Sequence, residues 1–76
     1  MPSTLIADIE YDPKSERLTI TFVTGRIYEY VDVPTEVAAS FQSAFSKGTF
    51  FNTEIKPNYE CELLYDPNWG TRLQSA

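Results

Sequence analysis

The sequence predicts an α+β domain: a three-stranded antiparallel β-meander with one α-helix packed on one face, and a short C-terminal wrap or strand. Three observations carry this reading. Apolar and polar residues alternate in three early runs separated by turn chemistry. One later run repeats its apolar residues every four positions. A chain of 76 residues has room for a single core. The domain is expected over residues 1–65, with 66–76 forming a turn and a frayed tail.

The first strand is read from Leu5, Ala7, Ile9 and Tyr11 on one face, alternating with Ile6, Asp8 and Glu10. Asp12-Pro13-Lys14-Ser15-Glu16 is a turn, because Pro fixes φ and the Asp and Ser side chains bond nearby backbone. Leu18, Ile20 and Phe22 mark the second strand, and a third runs from about Arg26 to Val31.

The loop between those two strands decides where Tyr28 and Tyr30 point. A two-residue loop at Thr24-Gly25 would put Glu29 on the core face and both tyrosines outside. A three-residue loop, Val23-Thr24-Gly25 with a left-handed Gly, pairs Ile20 with Tyr28 and Leu18 with Tyr30. Burying an unpaired carboxylate is costly, which favours the three-residue loop.

Asp32-Val33-Pro34 opens the helix, with Glu36 near its positive end. Val37, Phe41 and Phe45 form its apolar stripe, and Gly48 reads as its stop, with Lys47 near the negative end. Beyond it, Ile55 and Tyr59 are spaced for one helical turn, but Pro57 opposes a longer helix. Cys61, Leu63 and Tyr65 alternate with Glu60, Glu62 and Leu64 as a short final strand. Asp66-Pro67-Asn68-Trp69-Gly70 is a turn.

Charge narrows the function classes. The chain carries −5 overall, yet residues 41–59 hold Lys47 and Lys56 against Glu54 alone and lean positive. An acidic domain is a poor non-specific binder of nucleic acid and of anionic membranes. No apolar run approaches the roughly 20 residues of a membrane span. The lone Cys61 forms no intramolecular disulfide, and with no signal segment the default address is cytoplasmic.

No histidine is present, which removes Ser/His and Cys/His dyads and His-based metal sites. Cys61 reads as a small core residue. The carboxylate pairs Asp8/Glu10 and Glu60/Glu62 read as solvated edges rather than cation sites. No catalytic residue, metal or cofactor is therefore expected.

One patch stands out. Lys47, Phe51, Asn52, Lys56 and Tyr59 combine two cations, an amide and aromatic faces, the mixture that holds single-stranded nucleic acid. Tyr28 and Tyr30 would join it with the two-residue loop. The competing reading, favoured in so small a domain, is that Phe50 or Phe51, Ile55 and Tyr59 wrap the second side of the core.

Taken in order, several short pieces resemble a known family. They are Leu18-x-Ile20-x-Phe22, Gly25, Tyr28-x-Tyr30, Val33-Pro34, Ala44, Ser46-Lys47-Gly48, Phe51-Asn52, Ile55-Lys56 and Tyr59. Their order and spacing over roughly residues 3–60 resemble the KTSC domain. That domain occurs at the C-terminus of some lysyl-tRNA synthetases and as a stand-alone bacterial or phage protein. The resemblance implies no established activity; RNA binding has been suggested from the synthetase connection.

The expected function is a non-catalytic binding module. The first form is a protein-interaction adaptor, from the acidity, the lack of catalytic groups and an exposed sheet edge; the residues specify no particular protein partner. The alternative is an RNA-binding module using the 47–59 segment. A monomer or a weak homodimer through an edge strand is expected.

Overall fold

The computed structural model describes residues 5–68. Four strands, β1 (Ile6–Asp12), β2 (Arg17–Phe22), β3 (Ile27–Tyr30) and β4 (Cys61–Tyr65), form one antiparallel sheet in chain order. Between β3 and β4 lie α1 (Thr35–Ser43) and α2 (Lys47–Phe50), the latter running into a π-helical turn over Phe51–Ile55. The α+β class and the meander hold. The expected C-terminal wrap or strand is the strand β4, which joins the sheet beside β3, and the single helix is a helical layer of three pieces.

The first turn follows its chemistry. Asp12 Oδ1 accepts from the Lys14 amide at 3.0 Å and Asp12 Oδ2 accepts from Ser15 Oγ at 3.0 Å. The β2–β3 loop has three residues: the Phe22 amide donates to the Arg26 carbonyl, and Gly25 has φ +96°. Leu18 pairs with Tyr30 and Ile20 with Tyr28, so Glu29 falls on the opposite face.

In β1 the strict alternation fails. Ile6 pairs with Phe22 and Asp8 with Thr21, so Ala7 bulges out of the ladder. The bulge changes which residues face inward. Ile6, Ile9 and Tyr11 pack on the core, whereas Leu5 and Ala7 are exposed.

The core comprises Leu18, Ile20, Tyr30, Val33, Ala38, Phe41, Phe51 and Ile55. Tyr11 Oη ties β1 to the start of the helical layer by donating to the Val33 carbonyl at 2.6 Å.

The helical stripe is shorter than expected. Ala44 turns extended (φ −63°, ψ 138°), and Phe45 leaves the stripe wholly exposed. Phe50 fills the vacated position, stacking on Phe41 with ring centroids 5.5 Å apart. Gly48 is no stop. It lies inside α2, which Ser46 caps by accepting from the Thr49 amide at 3.3 Å. The end of α1 is instead met by Lys47, whose Nζ donates to the Ala44 carbonyl at 3.4 Å. Asp66 begins the closing turn, its Oδ1 accepting from the Asn68 amide at 3.0 Å. The expected Trp69-Gly70 part of that turn and the tail to residue 76 lie outside the described residues.

Candidate functional site

The two faces of the sheet differ in charge. The outer face presents Asp8, Glu10, Asp12, Thr19, Thr21, Glu29 and Glu62, following the pairing of the strands. Glu29 stands opposite Glu62, and Arg17 Nη1 reaches Glu29 Oε1 at 2.6 Å. The carboxylate pair Asp8 and Glu10 faces solvent on β1. Glu60 and Glu62 are exposed at the start of β4.

The inner face is only partly covered. Val37, Ala38 and Phe41 of α1 pack with Leu18 and Ile20, while Phe51 of the π-helical turn reaches Phe22 and Tyr30. Toward the β3–β4 side the cover ends, leaving a groove of about 390 Å³. That is within the usual range of small binding clefts. Leu5, Phe22, Tyr28, Tyr30, Phe51 and Cys61 line its apolar part, and Thr24, Arg26, Asn52 and Lys56 its polar part.

The rings there are locked edge to face. Phe22 meets Tyr28 at 5.6 Å, Phe51 meets Phe22 at 5.4 Å, and Phe51 meets Tyr30 at 5.7 Å between centroids. Such pairs are worth about 0.5–1.5 kcal/mol each beyond burial. Tyr30 is almost wholly buried, and burial raises its phenol pKa well above the ordinary value; the neighbouring Cys61 and Tyr28 side chains add to the rise.

Five of the residues singled out in the sequence line this groove: Tyr28, Tyr30, Phe51, Asn52 and Lys56. The tyrosines arrive there with the three-residue loop, not the two-residue loop thought necessary. The reason is that the helical layer is too short to cover β3, so inward-facing Tyr28 stays part-exposed and the buried Tyr30 ring forms part of the groove lining. Lys47 is elsewhere, beside Ile6 and Ile9 of β1. Tyr59 packs against the core instead of lining the groove. Phe51 and Ile55 are buried as the core-wrapping reading expected.

Cys61 is exposed, against the expectation of a core residue. It sits on the edge strand, opposite Tyr30 and past the end of the helical cover. Arg26, missed in the sequence, lies opposite Phe22 across the loop and so points to the groove side. Its Nε faces Asp66 Oδ2 at 3.5 Å. Its position directly after the left-handed Gly25 was the available signal.

Comparison with known proteins places these elements in context. A family model described as the KTSC domain matches residues 2–59. A lysine–tRNA ligase of Nostoc punctiforme is 40% identical over 60 residues, which are 79% of this chain but 11% of the ligase. The chain thus spans about a tenth of that relative. An uncharacterised protein of Stutzerimonas stutzeri is 34% identical over 59 residues, covering 78% of this chain and 83% of that protein. The crystal structure of a KTSC domain protein from Yersinia pestis superposes with a TM-score of 0.80 at 37% identity. It covers 86% of this chain and 92% of that one.

Proposed function

The chain belongs to the KTSC domain family, and from that premise we propose that it is a non-catalytic protein-interaction adaptor that holds its partner in the groove between β3 and the π-helical turn. The observation that carries the reading is the uncovered inner face. A domain this small needs its aromatic area in the core, yet Phe22, Tyr28 and Leu5 reach a groove of about 390 Å³. Aromatic and aliphatic surface rimmed by polar residues is the anatomy of a recognition site.

A second reading, RNA binding, draws on Arg26, Asn52 and Lys56 at the same groove. Two features weigh against it. Base stacking requires open ring faces, and Tyr30 and Phe51 are packed edge to face and buried. A nucleic-acid backbone also needs a continuous cationic track, whereas the outer sheet face carries carboxylates and Lys47 lies apart.

The test uses isotope-labelled full chain titrated with tRNA and with a single-stranded RNA decamer, together with a photo-crosslinking residue in place of Asn52 or Glu10. The adaptor reading expects protein crosslinks from position 52 and not from position 10, and no salt-sensitive amide shifts with RNA. RNA-induced shifts at Tyr28, Asn52 and Lys56, with no protein crosslinks at position 52, would replace the adaptor reading with the RNA reading.

A further inference from the structure

Resting on the adaptor reading, we infer that the partner segment is acidic and apolar together: carboxylates set against Arg26 and Lys56, beside an aliphatic or aromatic side chain seated on Phe22 and Tyr28. Charge complementarity carries the inference. The chain is acidic, at −5. Even so, the described residues lining the groove include two cations and no carboxylate. Four carboxylates, Asp8, Glu10, Glu29 and Glu62, lie on the other side of the sheet, and Asp66 stands beside the groove against Arg26. Within the groove itself, this local charge disfavours a basic ligand and favours an acidic one.

The two cations differ in what they offer. Lys56 is exposed and has no ion-pair partner among the described residues. The Arg26 contact with Asp66 is at 3.5 Å and goes through Nε. A guanidinium carries five N–H donors, so a ligand carboxylate can be bound by its outer nitrogens without displacing Asp66. Between these heads the floor is apolar and rigid, because Phe22 is held edge-on by both Tyr28 and Phe51. A rigid floor costs little ordering entropy on binding. Asn52, exposed on the rim, supplies both a donor and an acceptor for the backbone of an extended segment.

Phosphate would also satisfy two cations, but the groove lining offers an RNA backbone no further cation beyond Arg26 and Lys56, and the Tyr30 and Phe51 rings are packed edge to face instead of open for base stacking. The apolar floor suits a peptide side chain, and RNA is an outcome of the test.

The experiment titrates labelled full chain with three synthetic peptides that alternate Leu and Phe with Glu, with Gln or with Lys, and with a uridine decamer, following backbone amides. The Glu peptide is expected to shift Arg26, Tyr28, Asn52 and Lys56, to bind roughly tenfold tighter than the Gln peptide, and to lose that advantage in Arg26→Gln/Lys56→Gln. The Lys peptide is expected not to shift the groove amides. Equal binding of the Glu and Gln peptides at the groove would overturn the acidic preference and leave the adaptor reading standing. Silence from every peptide, with shifts from the uridine decamer or with none, would overturn both. Both substituted side chains are solvent-exposed, so the double variant is expected to fold, and its unshifted core amides would show that.

Discussion

The Tyr30 ring meets the Phe51 ring edge-on, with centroids 5.7 Å apart and planes at 83°. One ring comes from the sheet and the other from the π-helical turn, so this contact fastens the helical layer where the groove begins. Both rings are buried.

The buried phenol gives a pH dependence with a definite sign. The Tyr30 pKa is raised in the folded state. Above the ordinary phenol pKa of about 10 the unfolded chain releases this proton while the folded chain keeps it. The unfolded state then binds fewer protons, and stability falls with rising pH, by at most about 1.4 kcal/mol per unit for this one group. The contribution is fully present below about pH 10. Urea unfolding of the wild type and Tyr30→Phe between pH 8 and 11 checks it: the variant should show the shallower decline.

Phe41 is fully buried and stacked on Phe50. Phe41→Ala should cost about 3–5 kcal/mol, the range for a large cavity, against a total stability of roughly 4–11 kcal/mol for this length. Phe45→Ser, at a fully exposed site, should stay within about 0.5 kcal/mol. Chemical denaturation of the two variants measures both, and the sequence periodicity alone would have ranked them as equals.

Gly25 and Gly48 should respond oppositely. Gly25 has φ +96°, and a Cβ there would meet Pro67 Cγ at 3.2 Å. Gly25→Ala should destabilise by about 1–3 kcal/mol through backbone strain. Gly48 sits within α2 with φ outside the positive region. Gly48→Ala should be neutral or stabilising by up to about 1 kcal/mol. Thermal melts of both decide the matter; a loss at position 48 comparable to that at 25 would restore Gly48 as a left-handed helix stop.

Ser46→Ala removes the acceptor for the Thr49 amide and should cost about 0.5–2 kcal/mol. Faster hydrogen exchange at Thr49 would locate the loss at the start of α2.

Several of these contrasts show what the sequence reveals and where it falls silent. The β2–β3 register was legible because Glu29 had to be kept from the core, a large and local penalty. The β1 bulge was not, because an extra residue leaves the alternation looking intact on either side of Ala7. The helix break after Ser43 was hidden by Phe45, which continues a four-residue period without being helical. In the groove, Lys56 and Asn52 were legible as the basic-aromatic segment, whereas Arg26 and Cys61 depended on which inner-face residues the helical layer leaves uncovered. That extent is set by tertiary packing, and no local pattern encodes it.

The sheet order β1-β2-β3-β4 has a kinetic consequence. The first three strands pair through short turns, so their ladders can zip locally and early. Tyr30 and Cys61, however, are neighbours across the whole segment 31–60, and that closure must wait for the helical pieces to dock or bear the entropy of a long open loop. The last strand to pair is then the first to open. Its amides should exchange with solvent at a lower free energy than those of β2, and the groove, which takes Cys61 from that strand, would assemble and dissolve as one late unit.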